Sequence, residues 1–353
     1  MCLDWRSQSQ DQWTEAQWRQ LGEVLAKAEP LLAQIRVLFV QEGPIWPLET
    51  DSTFESGGKS WAALREFTRL FWFSTLFQAH TGAHDAAFDD VIAAFRTGDL
   101  LENEPIMFSH LTRFACHDMA RNAFLQTFAP GVLNAGQLDR LASYAATPPN
   151  RNTFAEALKV EAYQTAQSTD DPSHVHGSVF LYNMPGIEGL FWRVYSTPLA
   201  KPLYNRDEFA FAAFLQEMAA ASRQPFYEAY RQLSTSYERL DETWFIPLAR
   251  DSANGMLSVL DAQAKNEASL SLMAIGLRLE QCQAETGRVP DTLDAVAHYL
   301  GGHVPVDPFT GEPFRYVPGQ DGFRLYSVGG NLKDDGGEEK AHADIVWRNK
   351  AGF

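Results

Sequence analysis

The segment from Asp307 to Trp347 limits the possible folds more than any other part of the chain. It reads DPFTGEPFRYVPGQDGFRLYSVGGNLKDDGGEEKAHADIVW. Two short runs rich in aromatic and β-branched residues, 314–317 and 323–328, flank the turn 318–322, which predicts an antiparallel hairpin. A loop over 329–343 then interleaves Asn331, Asp334, Asp335, Glu338 and Glu339 with Gly329, Gly330, Gly336 and Gly337. It ends at Asp344-Ile345-Val346-Trp347. Glycines let a backbone fold tightly enough for carbonyls to point inward beside carboxylates, as the roughly six to eight oxygen ligands of calcium require. The loop therefore predicts a hard-cation site.

The preceding 268 residues read as helices joined by short loops. Thr14-Glu15-Ala16-Gln17 is a capping box opening a helix towards Val40, with Pro30 as a kink inside it. Residues 61–80 are apolar almost all round, which marks a buried helix. Thr81-Gly82-Ala83 turns the chain, and Asp85 is expected to cap a second helix through Phe95. Further helices are expected over 104–128, 136–146, 152–166, 207–221, 224–236 and 240–265. Residues 183–205 are aromatic and broken by prolines, which predicts an irregular segment. A last long helix over 268–286 places Leu272, Ile275, Leu279 and Cys282 on one stripe and Leu270, Met273 and Leu277 on another. Gly287 supplies its C-terminal cap, and Pro290 forbids its continuation. The expected architecture is mainly α: a multi-helix region over 1–268, then a small α+β region over 269–353 with a short antiparallel sheet.

Composition removes several function classes. A formal net charge of −16 argues against nucleic acid, whose phosphates require clustered Lys and Arg. Cys2, Cys116 and Cys282 are too scattered for a disulfide framework or a zinc site. No run of the chain approaches the length of a membrane span, and residues 1–12 are too polar for a secretory signal. A periplasmic or envelope location therefore carries the expectation that an export or anchor segment ahead of Met1 has been lost.

Most motif-like strings fail on their neighbours. Gly58-Lys59-Ser60 lacks the leading glycine of a phosphate loop, since position 53 is Thr53. Ser56 and Lys59 match a penicillin-binding pattern whose partner motifs are absent. His80 and His84 have the spacing of zinc ligands, but Thr81 stands where a glutamate is needed and Gly82 breaks the helix. Asp89-Asp90 reads as a helix-start acid pair, and His174-Val175-His176 as part of a polar loop. His110 and His117-Asp118 lie two turns apart on one helix face.

Residues 269–348 resemble the globular head of the major pseudopilin of type II secretion systems. The matching pieces are Glu285-Thr286-Gly287-Arg288-Val289-Pro290, Val304-Pro305-Val306-Asp307-Pro308, Pro313-Phe314-Arg315-Tyr316, Leu325-Tyr326-Ser327-Val328-Gly329 and Ala343-Asp344-Ile345. The resemblance implies calcium held by the Val328 carbonyl, Asn331 and Asp344. Asn331 replaces an aspartate of the family pattern, and Ala343 replaces an acid, so Asp334 or Asp335 is expected to supply the missing charge. The apolar N-terminal pilin helix is replaced by the helical region, so the chain is not itself a pseudopilin. The whole chain also resembles uncharacterised bacterial helical proteins that carry this tail. The most typical stretch is Asp99-Leu100-Leu101-Glu102-Asn103-Glu104-Pro105 followed by Ser109-His110-Leu111.

These readings converge on a non-catalytic binding or assembly protein of the bacterial envelope, with a protein partner and a structural calcium. The alternative is a hydrolase using His110, His117 and Asp118, which requires those groups to meet in one concave, partly dry pocket. A third reading is a helical groove gripping a peptide or lipid through Phe191, Trp192 and Tyr195.

Overall fold

A computed structural model describes residues 12–40, 54–147, 150–168, 197–243, 246–319, 322–337 and 344–347. Helices α1 (Glu15–Val40), α2 (Phe54–His80), α3 (His84–Asp99), α4 (Met107–Thr127), α5 (Ala135–Ala145) and α6 (Arg151–Ser168) come first. Next are α7 (Lys201–Ala221), α8 (Phe226–Asp241) and the 40-residue α9 (Pro247–Thr286). A 3-10 turn over Leu293–Leu300 leads to strands β1 (Arg315–Pro318), β2 (Phe323–Ser327) and β3 (Ile345–Trp347). They form one antiparallel sheet in chain order, with Tyr316 opposite Leu325 and Leu325 opposite Trp347. The protein is thus mainly α with a small sheet near its C-terminus, as its sequence predicts.

Local chemistry explains several helix ends. The Thr14 hydroxyl accepts from the Gln17 backbone N–H at 3.3 Å, and the Gln17 side chain accepts from the Thr14 N–H at 2.7 Å. Asn134 and Gln137 close a second capping box at α5. Gly287 ends α9 in the left-handed conformation, φ 74°. Asp85 corrects the sequence reading: the N-cap of α3 is Ala83, without a side-chain cap, and Asp85 instead accepts from the Gln137 side chain at 2.9 Å. The pattern also predicts a break near 266–267, whereas α9 crosses it unbroken because no glycine or proline stands there.

Packing follows the apolar faces. Helix α2 lies on α3 and α4, α6 lies on α7, and α9 touches α4, α5, α7, α8 and the sheet. Leu272, Met273, Ile275, Leu277 and Leu279 of α9 are all buried, while Leu270 and Cys282 of the two predicted stripes are half-buried. One continuous core joins Phe95 and Phe124 in the helical region to Phe323, Leu325 and Trp347 in the tail. The expected boundary at 268 lies inside α9. His80 stacks on Trp18 with ring centres 4.1 Å apart, and buried Asp90 pairs with Arg36 at 2.7 Å. Both therefore have structural partners. His174, His176, Phe191, Trp192, Tyr195, Glu338, Glu339 and Ala343 lie outside the described residues.

Candidate functional site

The polar heart of the helical region forms where α3, α4, α5 and α9 meet. Helical spacing puts His110, Arg113, Phe114 and His117 of α4 on one face. Asp99 ends α3, Tyr144 comes from the last turn of α5, and Gln263 and Asn266 project from α9. Gly98 permits the approach, because a Cβ there would lie 2.9 Å from Cδ2 of the His117 ring.

His117, 2% exposed, sits at the centre of this cluster. Its Nε2 meets Asp99 Oδ1 at 3.0 Å, and its Nδ1 meets Asn266 Oδ1 at 3.2 Å. Tyr144 donates its hydroxyl to the second Asp99 oxygen at 2.8 Å. Arg113 donates to Glu102 at 3.1 Å and, at the longer distance of 3.5 Å, to Asp99. With both ring nitrogens facing oxygens, an imidazolium satisfies the two contacts directly. A neutral ring satisfies them once the Asn266 amide turns over.

Electrostatics follow from this wiring. Burial alone would push the Asp99 carboxyl up, but the His117 hydrogen bond and charge, Arg113 and the Tyr144 hydroxyl together hold it below its ordinary value. Asp99 keeps 28% of its side-chain surface open, and that surface faces a cavity that it helps to line. Tyr144 is pushed well up, first by burial and then by the adjacent Asp99 charge. Burial lowers His110 to about 4, with the nearby Arg113 charge adding to the effect. Behind the cluster, Trp61 donates to Ser109 at 2.9 Å and Ser109 bonds Glu104, bracing the start of α4.

Two cavities adjoin His117. The inner one, about 140 Å³, is lined by Asp99, His110, Arg113, Tyr144, Phe154 and Gln263, among others. The outer one, about 330 Å³, is lined by Asp118, Arg121, Lys265 and Ser269. Phe114, His117, Asn266 and Leu270 line both and form the partition between them.

Of the predicted trio, His110 and His117 thus share the inner cavity. Asp118 lines the outer one and pairs with Arg121 at 3.3 Å and Asn122 at 3.1 Å. Asp99, not Asp118, is the acid that meets His117. Among the described residues no serine, threonine or cysteine side chain is hydrogen-bonded to His117.

The tail loop holds the predicted metal residues. Asp344, 3% exposed, accepts from the Gly337 N–H at 2.6 Å and the Asp335 N–H at 3.3 Å. Burial raises its carboxyl, and the charges of Asp334 and Asp335 add to the rise. Asn331 donates to Asp335 at 2.8 Å and accepts from the Lys333 N–H. Asp334 is engaged by Tyr326, the Gly336 N–H and Arg315. Val328 is buried just after β2, where its N–H donates to Asp307 at 3.1 Å. Asp307 also accepts from the Phe309 N–H and the Ser327 hydroxyl, so this buried carboxylate ties the turn to the strand.

Carboxylates, an amide and a backbone carbonyl are the oxygen donors calcium takes. In the described geometry these side chains answer N–H and O–H groups, and no group of three or more acidic, His or Cys residues is gathered for a metal among the described residues. No protein-family model matches this chain, nor does any curated protein or solved structure.

Proposed function

We propose that this protein works by binding, with a ligand cavity beside His117 and a calcium-stabilised tail docked on the same core. One observation carries the reading for the cavity. Among the described residues His117 has both ring nitrogens engaged and no serine, threonine or cysteine bonded to it, while buried polar atoms on neighbouring cavity residues lack partners. A ring held in this way orients a wall and leaves the neighbours to receive a guest. Ligand-observed NMR with a fragment set on the full chain is the test. Hits lost in Gln263→Leu are expected, and a set without a single hit would refute the cavity reading.

For the tail, Asp344 is raised partly by two neighbouring acids, a repulsion that a divalent cation relieves. Calcium is therefore assigned a clamping role among Val328, Asn331, Asp334, Asp335 and Asp344. An envelope location and a protein partner rest on the resemblance of residues 269–348 to pseudopilin heads.

The hydrolase reading keeps one observation in its favour: Asp99 orients His117 at a concave site that also contains His110. Turnover of an ester, amide or phosphoester panel, abolished by His117→Ala, would select it over binding.

A further inference from the structure

Three buried polar atoms on residues of the inner cavity have no hydrogen-bond partner: Nε2 of His110, Oε1 of Gln263 and Nε of Arg113. His110 is 1% exposed and Gln263 7% exposed, so bulk water does not satisfy them. Groups left dry in this way are costly, and three around one small space mark a position built for polar contents.

The charged groups of the cavity, by contrast, already have hydrogen-bonded partners. Asp99 is met by His117, Tyr144 and Arg113, and Glu102 is met by Arg113. An ionic guest would give up its hydration and compete with these bonded partners for a counter-charge. The open positions are one acceptor on Gln263, one N–H donor on Arg113 and one acceptor nitrogen on His110, whose neutral ring donates to a backbone carbonyl from its other nitrogen. Turning the Gln263 amide replaces its acceptor by a donor, and the guest must still offer both capacities.

Phe114, Phe154 and Leu270 supply the apolar part of the wall, where a water molecule gains no hydrogen bond. The inner volume of about 140 Å³ matches roughly four or five water molecules at liquid density.

We infer that the inner cavity binds a small uncharged molecule bearing a hydroxyl or primary amide. Its polar head bonds Gln263, Arg113 and His110, and its apolar part lies on Phe114, Phe154 and Leu270. This assignment rests on the binding reading above and specifies the ligand class.

Three near-isosteric probes test it on the full chain at millimolar concentration: propionamide, propionate and propylammonium. Saturation-transfer NMR is expected to show propionamide binding at least tenfold tighter than either ion, and losing at least tenfold in Gln263→Leu. Gln263→Glu, which keeps the side-chain shape, is expected to shift the preference to propylammonium. Propionate or propylammonium equalling the amide on the wild-type protein would overturn the uncharged class and leave the binding reading standing. Amide binding unchanged in both Gln263 variants would overturn the location. Failure of all three probes to bind would overturn the inference and the binding reading together.

Discussion

Gly98 and Asp99 fix His117 from the end of α3. A Cβ at position 98 would also lie 3.1 Å from the Cys116 Cβ, so Gly98→Ala must push α3 and α4 apart. Such overpacking costs about 1–3 kcal/mol, which a lower denaturation midpoint would register. Asp99→Asn tests the charge itself. The folded-state carboxyl lies below its unfolded value, so its contribution is present above about pH 4 and is lost as the pH falls through the folded value. The wild type should therefore exceed Asp99→Asn by about 2 kcal/mol at neutral pH, with the gap closing in acid. An undiminished gap at pH 2.5 would contradict this. Two members of the cluster are legible in sequence: His110 and His117 share a face because helical spacing puts them there. Asn266 lies 149 residues from His117, and no spacing rule relates them. The stretch containing Asp99, Glu102, Glu104, Ser109 and His110 stands out in the sequence, yet only the fold shows why its acids and histidine sit together.

At the scale of elements, α9 does most of the joining. Its residues 263, 266 and 270 line the cavities, and one to two turns later Gly276 receives the indole of Trp347. Trp347 stacks on Phe124 of α4 with ring centres 6.1 Å apart. Gly276→Ala places a methyl in the space of that indole, and a loss of about 1–3 kcal/mol is expected. Alanine favours the helix by about 1 kcal/mol, so an increase in stability would show that β3 docks elsewhere. Caps and apolar stripes make the helices readable, because both are local. The run of α9 through 268 is not readable from a change in sequence character, since the sheet that covers its second half comes later in the chain. Asp85 is misread for a related reason: its partner Gln137 belongs to α5.

For the molecule as a whole, the tail shares the helical core, so unfolding should appear as one transition. If calcium clamps the loop, free calcium at ten times its dissociation constant adds about 1.4 kcal/mol. A chelator should then lower the single midpoint, and identical melts at several calcium levels would remove the clamp. Glu280, beside Trp347, supplies a second handle. Burial pushes its carboxyl up to about 7, against a smaller opposing pull from the Trp347 indole. A raised acid stabilises fully below its unfolded value of about 4.3 and loses that contribution as the pH rises through the folded value. Stability should accordingly fall between about pH 4.5 and 7, and Glu280→Gln should remove up to about 3 kcal/mol of that slope. A variant with the wild-type pH profile would exclude Glu280 as its source. Mainly-α architecture with a small terminal sheet is visible from composition and periodicity. That the two parts share one interior is not, since it depends on contacts between distant residues such as Phe124 and Trp347.

That stacking has a temporal side. Trp347 leaves the ribosome after α4 and α9, so the slot over Gly276 stays open while the stretch between them is made. Until β3 arrives, the growing chain shows an apolar notch that a chaperone can hold. Its filling waits for β3, and it closes the core that α4 and α9 leave open.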